Sequence, residues 1–422
     1  MNCLFLLLLL LNVPLHAQDY TGLQTAHPTL QLLATVPEVK SQAAILIDAT
    51  TGTVLFTKNA DEEIPPASLA KLMTMHLLQN EIYAGRLKLD DIIPISRESW
   101  AINQPPRSSL MFLGPGQTVT LRDILLGLAV SSGNDAAIAA ALCLAPTVDD
   151  FVSLMNNESQ RLGLGKTIFV EPSGISEFNM TSAAEFAYFC RYYIAMHPHA
   201  LENYHSVRDF SYPKAENVAE AYRDNPRTII QYNRNNLLRN FPGVDGLKTG
   251  YIDEAGYNIA LTAKRDNSRF IAVVMGAPVG TSGSRIRDDD GRTLLTWAFD
   301  NFKTVYPEIN TIENTQQKLR TRLWKGKENT AHFRLAQPDP LAQDSAVFTA
   351  LASRANSLWI YCEFIDPLIA PLPADYPAGA LIISDEQGEL HRVQLLTVKE
   401  YEKGNVFKRI WHSLRLFFQR PR

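Results

Sequence analysis

One stretch constrains this chain more than any other: Pro65-Pro66-Ala67-Ser68-Leu69-Ala70-Lys71-Leu72-Met73-Thr74. The proline pair removes two backbone donors and favours extended geometry, so no helix runs through it. An apolar helical pattern begins immediately afterwards. Ser68 opens that helix and Lys71 lies one turn on, and residues at i and i+3 share a helix face. The spacing therefore predicts a hydroxyl and an amine within reach of each other. A serine beside a lysine is one way to make a weak nucleophile attack a carbonyl. Taken alone the signal is thin. S-x-x-K arises by chance roughly once or twice in a chain of this length, and a capping serine with a solvated lysine satisfies it equally well.

Two later stretches change the weight of the first. Ser132-Gly133-Asn134 breaks a helix that starts near Thr118 and ends near Ser131; another begins at Asp135. Lys248-Thr249-Gly250 lies at a strand start within Val244-Asp245-Gly246-Leu247-Lys248-Thr249-Gly250-Tyr251. Two further strand patterns follow, Gly256–Ala263 and Arg269–Met275, about an Asp266-Asn267 turn. Upstream, Ala43–Asp48 and Val54–Phe56 read as a hairpin around Thr50-Thr51-Gly52. A strand pair feeding a helix suits an α/β enzyme with its nucleophile under a sheet.

S-x-x-K, S-x-N and K-T-G in that order resemble the active-serine penicillin-binding proteins and β-lactamases. Within them the chain is similar to the low-molecular-weight D-alanyl-D-alanine carboxypeptidases over nearly its whole length. The resemblance implies an α/β (α+β) penicillin-binding, β-lactamase-like transpeptidase domain over 18–306, with an antiparallel sheet and helices. It also implies a small β-rich domain over 307–402. The implied substrate is a peptidoglycan stem peptide ending in D-Ala-D-Ala, and β-lactam antibiotics are expected to bind covalently. Neither metal nor cofactor is implied.

By the same resemblance Ser68 is the nucleophile, Lys71 its base and Ser132 a proton relay. Neutral Lys71 requires a lowered pKa, expected to come from like-charge repulsion by Lys248. Asn134 contacts the substrate amide. The backbone N–H groups of Ser68 and Tyr251 form an oxyanion hole, and Gly250 lets a ligand approach the backbone closely. Lys248, Thr249 and Arg287 hold the terminal carboxylate. Arg287 lies seven residues before Leu294; Arg285, two positions away, is the competing choice. Glu171 reads as structural, because the E-x-x-L-N pattern of deacylating glutamates is absent. Ser108 and Ser109, among turn residues with no nearby lysine, also read as structural. A serine β-lactamase remains a rival, disfavoured by Gly133 where that class carries Asp. A D,D-endopeptidase and a non-enzymatic wall-binding protein are the others.

The ends of the chain bear on location. Leu4–Leu11 form an apolar run with Ala17 at a cleavage position, so 1–17 read as a signal peptide, although no Lys or Arg precedes the run. Cys143, Cys190 and Cys362 remain after cleavage; Cys143 and Cys190 are either buried thiols or a disulfide formed after export. Net charge is −4, which leaves no nucleic-acid footprint. In 403–422, Val406, Phe407, Ile410, Trp411, Leu414, Phe417 and Phe418 follow helical spacing, with Lys408, Arg409, His412, Arg415 and Arg420 on the other positions. That pattern fits a helix lying in an anionic membrane interface; a terminal helix packed on the protein is the alternative.

Overall fold

The computed structural model describes residues 36–307, 319–337, 339–342 and 344–419; the signal segment and Arg420 lie outside them. At its centre is an antiparallel sheet of five strands. In chain order they are β1 (Ala43–Asp48), β2 (Val54–Lys58), β3 (Val244–Ile252), β4 (Gly256–Arg265) and β5 (Ser268–Ala277). Their spatial order is β2-β1-β5-β4-β3. Both faces are covered, which explains the near-continuous apolar runs in β1 and β5. Alternation divides them between two cores: Ala43, Ile45 and Ile47 face one, Ala44 and Leu46 the other. Strand β5 does the same, with Ile271, Val273 and Met275 opposite Phe270, Ala272 and Val274.

The larger core holds the helices that carry the motifs. Ser68 lies in a tight turn, Ala67–Ala70, that runs directly into α1 (Lys71–Tyr83). Helix α1 is buried nearly all round, as expected for a helix apolar on more than one face. Its far side is braced by His76, whose ring nitrogens meet His197 Nε2 and Glu158 Oε1, each at 2.8 Å. Helix α2 (Leu121–Leu126) starts on a reciprocal Thr120–Asp123 capping box and widens into one π-turn, Gly127–Ser131. Ser132 ends it in a left-handed conformation (φ 57°), and α3 (Asn134–Leu144) begins two residues later, after Gly133. Helix α4 (Val148–Arg161) and α5 (Ala183–Met196) complete this layer; α6 (Gly283–Asn301) covers the opposite face of the sheet. Cys143 and Cys190 are free thiols. The polar stretch after 199, read as irregular from sequence, contains a hairpin pairing Asp209–Tyr212 with Ile229–Tyr232.

A second, six-stranded sheet follows, built from β6 (Arg320–Trp324), β7 (Thr330–Leu335) and strands at Trp359–Phe364, Leu368–Ile369, Pro377–Asp385 and Gly388–Thr397. It carries its own apolar core. The terminal helix, α7, spans Val406–Gln419. The joint between the two units is polar and buried. Phe302–Val305 pairs with Phe348–Leu351. Asp48 accepts the Thr304 hydroxyl at 2.7 Å and the Thr349 hydroxyl at 3.0 Å. Arg191 donates to Ala49 O and Thr50 O, each at 2.8 Å, and to Asp339 Oδ2 at 2.5 Å.

The Arg191–Asp339 pair is 2% and 4% exposed. Removing one partner of such a pair strands the other charge, at a cost of about 3–5 kcal/mol. Arg191→Ala is therefore expected to lower the denaturant midpoint of the native near-ultraviolet signal markedly. The double change Arg191→Leu with Asp339→Leu should recover much of the loss. A single variant as stable as the parent would show that the joint does not depend on this pair.

Candidate active site

The turn that carries Ser68 is strained and wedged. Ala67 has φ +49°, an uncommon conformation for a residue with a side chain. Leu69 N–H bonds Pro66 O at 3.2 Å, and Asn258 Nδ2 donates to Pro65 O at 2.9 Å. Two glycines press on the turn. A Cβ on Gly174 would lie 1.8 Å from Ala67 O; one on Gly250 would lie 2.8 Å from Pro66 O and 3.0 Å from Ser68 N. Glycine at 250 thus lets β3 reach the Ser68 amide itself. The Ser68 side chain makes no capping bond, so it is not a helix cap.

Lys71 is completely buried, and its Nζ donates to Ser68 Oγ at 2.9 Å, Asn134 Oδ1 at 2.8 Å and Ser173 O at 2.5 Å. Burial pushes its pKa down to about 7. Glu171 and Asp135 oppose that shift, and the positive charge of Arg234 adds to it. Repulsion by Lys248 is not the leading cause expected of it: loss of water around the amine comes first, and the Lys71–Lys248 repulsion is expressed in the lowered pKa of Lys248.

Lys248 is buried at the head of the same constellation, donating to Ser132 Oγ at 2.7 Å and Thr249 O at 3.0 Å. Burial lowers its pKa well below the ordinary lysine value, helped by the charges of Lys71, Arg234 and Arg287. Arg287 is buried on α6, its guanidinium held by Asp288 Oδ1 at 2.6 Å and its charge felt at Lys248; Arg285 is exposed. Asn134 joins its own motif and that of Lys71 to the Ser108–Ser109 segment, since its Nδ2 donates to Ser108 Oγ at 3.1 Å and its backbone N–H to Ser109 O at 2.8 Å.

Two carboxylates hold the frame. Asp135 accepts the N–H groups of Met111 (2.8 Å), Phe112 (2.7 Å) and Leu113 (3.0 Å), fixing the segment that carries Ser108. Glu171 accepts from Ser173 N, Gly174 N and Asn179 Nδ2, which sets the Ser173 carbonyl on Lys71. This is the structural role read from the sequence for Glu171.

Ser68, Ser108, Asn134, Tyr251 and Asp253 share a cleft of about 220 Å³. Tyr251 and Tyr257 rings lie 4.2 Å apart beside it, and Tyr251 OH donates to Asp253 Oδ1 at 2.5 Å. The sequence does not single out Ser173 or Arg234. Ser108, read as structural, accepts the Asn134 amide at the edge of the cleft. Ser173 acts through its carbonyl, which no side-chain pattern can reveal.

A profile of the D-alanyl-D-alanine carboxypeptidase family matches residues 31–279. The chain is 31% identical over 389 residues to D-alanyl-D-alanine carboxypeptidase DacC of Escherichia coli (strain K12), covering 90% of this chain and 89% of that protein. Among solved structures it resembles penicillin binding protein 5 from Haemophilus influenzae, with a TM-score of 0.73 at 28% identity over 88% of this chain and all of that one. It also resembles penicillin binding protein 6B from Escherichia coli, with a TM-score of 0.68 at 28% identity over 89% of this chain and 100% of that one. The chain belongs to the D-alanyl-D-alanine carboxypeptidase family of penicillin-binding, serine-type enzymes.

Proposed function

We propose that this enzyme removes the terminal D-alanine from peptidoglycan stem pentapeptides through an acyl-enzyme on Ser68, and so remodels the cell wall. The observation that carries the reading is the Lys71 amine, 2.9 Å from Ser68 Oγ and poised near neutrality. Neutral Lys71 takes the Ser68 proton as Oγ attacks the penultimate D-Ala carbonyl. The N–H groups of Ser68 and Tyr251 stabilise the oxyanion; the close approach of Gly250 to Ser68 N supports that pairing. Ser132, bonded to Lys248, passes a proton to the departing D-alanine. Asn134 orients the peptide amide. Lys248, Thr249 and Arg287 bind the terminal carboxylate; burial of Arg287 beside Lys248 favours it over exposed Arg285. Water then hydrolyses the ester.

Covalent capture of β-lactams follows from the same attack. A relative from Listeria monocytogenes, penicillin-binding protein D2, is described in a cefotaxime-bound form, which supports it. A β-lactamase is disfavoured on geometry: a side chain at Gly133 would begin 2.6 Å from Asp135 Oδ1 and 2.9 Å from Met111 N, so S-D-N does not fit here. The same chemistry serves cross-link cleavage, and a D-alanyl-D-alanine endopeptidase of Pseudomonas aeruginosa is 29% identical over 71% of this chain. Comparing a stem pentapeptide with a cross-linked dimer as substrate separates the two. The exported enzyme is held at the periplasmic face of the inner membrane by α7. Supporting this, Phe407, Trp411, Phe417 and Phe418 are all exposed on that helix.

Ser68→Ala is expected to abolish both D-alanine release and covalent penicillin labelling. Labelling that persists at another serine would overturn the assignment.

The acylation rate should fall as pH drops through about 7, because protonated Lys71 cannot accept the Ser68 proton. Arg234→Gln removes a charge that lowers the Lys71 pKa, so its rate profile should move to higher pH. An unchanged profile would remove Arg234 from this role.

Arg287→Ala should reduce kcat/KM for the peptide by roughly 10- to 100-fold, the equivalent of about 1.5–3 kcal/mol for a charge-assisted bond. Arg285→Ala should do less; the reverse order would move the carboxylate role to Arg285.

A further inference from the structure

Helix α7 does not stand clear of the β-rich unit. His412 is buried, and its Nδ1 accepts the Lys325 N–H at 2.8 Å. It thus stands apart from the other basic residues of the helix, with which the sequence pattern groups it. Its ring meets Trp324 edge-on, centroids 5.3 Å apart, and Lys408 Nζ donates to Lys327 O at 2.8 Å. These contacts seat the helix on the β6–β7 hairpin with its apolar residues outward, Phe407 and Phe418 being 86% and 80% exposed.

Between helix and hairpin lies a cleft of about 530 Å³, lined by Arg320 and Arg322 of β6, His412 and Arg415 of α7, and Thr321, Asn329 and Thr330. Among the described residues its lining holds no carboxylate. Arg320 and Arg322 are two apart on a strand and therefore emerge on one face. Two of the guanidinium groups are stacked, Arg322 at 3.8 Å from the Trp324 ring centroid and Arg415 at 5.2 Å from that of Trp411. Two carboxylates among the described residues nearby are engaged, Glu328 by Lys399 at 2.7 Å and Glu402 by Lys327. Because His412 Nδ1 accepts, the neutral ring carries its proton on Nε2. The Arg322 and Arg415 guanidinium forks, held against ring planes beside hydroxyl and amide groups, make up a set suited to a phosphate.

We propose that this cleft binds the phosphate of an anionic phospholipid headgroup, making the β-rich unit a partner of α7 at the membrane. The inference rests on the tether reading of α7. Lipid is favoured over free phosphate by Trp411: the ring beneath Arg415 is also one of the exposed apolar residues of the helix. Phosphate and acyl-chain contacts thus meet at one residue pair. Bound lipid would fix the helix, the hairpin and the membrane plane relative to one another.

The cleft carries its own reporter. Burial lowers the His412 pKa, assisted by Lys408 and Arg415 of α7 and by Arg322 and Lys325 of the hairpin. A bound phosphate offsets those cations and should raise it.

The test uses the mature full-length protein and vesicles of phosphatidylcholine, with and without phosphatidylglycerol. Arg320→Gln with Arg322→Gln alters neither α7 nor the catalytic groups, and retained penicillin labelling will verify folding. Its affinity for the anionic vesicles is expected to fall about 10- to 30-fold, with binding to neutral vesicles unchanged. A charge-matched control, Arg334→Gln with Arg392→Gln, should lose no more than about 3-fold. Equal losses in the two double variants would overturn the cleft and leave the tether intact. If a truncation after Glu402 sediments as the full chain does, the tether reading itself falls. The His412 titration, followed by NMR, should move up with anionic vesicles. If inorganic phosphate moves it as far while the arginine variant binds vesicles normally, the site is for free phosphate and the lipid assignment is wrong.

Discussion

The site depends on one buried amine without a counter-ion. The three groups that Lys71 Nζ touches, a serine hydroxyl, an asparagine carbonyl and a backbone carbonyl, are all neutral. A carboxylate in direct contact would restore an ordinary lysinium, unfit for the base role proposed for it. Neutral acceptors satisfy the donors while leaving most of the desolvation of the cation uncompensated, which brings the amine to about 7. A Lys71 proton is therefore cheap to gain and cheap to lose at neutral pH, as a general base requires.

Asp135 and Glu171 show how finely that condition is held. Both are near enough for their charge to reach Lys71, and both raise its pKa. Neither touches it. Asp135 is engaged by three successive backbone N–H groups from 111–113, Glu171 by those of Ser173 and Gly174. Hydrogen bonding to these donors keeps the carboxylates turned away from the amine. It also shapes the two loops that deliver Ser108 and the Ser173 carbonyl. The same contacts thus build the walls of the site and limit the field inside it.

What the sequence disclosed follows from what leaves a side-chain trace. The Ser68–Lys71 spacing, the Ser132–Asn134 break and the Lys248–Gly250 strand start each have a pattern with a physical reason. So do β1, β4 and β5, through length, apolar content and turn residues. Ser173 works through a carbonyl and leaves no pattern. Arg234 acts at a distance through charge, and nothing at 233–236 signals which way its side chain lies. The 209–212 strand finds its partner at 229–232 beyond a polar connection, too far for a hairpin signal. His412 fits the basic stripe of α7 by position, but packing against Trp324 and Lys325 takes it inside.

The polar joint between the two units gives these details a common geometry. Asp48 lies on β1, next to β5 in the sheet that carries Lys248, and it takes hydroxyls from both Thr304 and Thr349. Arg191 locks the β1–β2 turn to Asp339. Bonds of this kind have direction, whereas an apolar interface can slide. The β-rich unit is therefore oriented by the sheet of the catalytic unit, and α7 is oriented in turn through His412 and Lys408. A chain of directional contacts runs from the catalytic sheet to the outward apolar face of α7. The cleft over Ser68 consequently has a defined orientation relative to any surface on which that face rests.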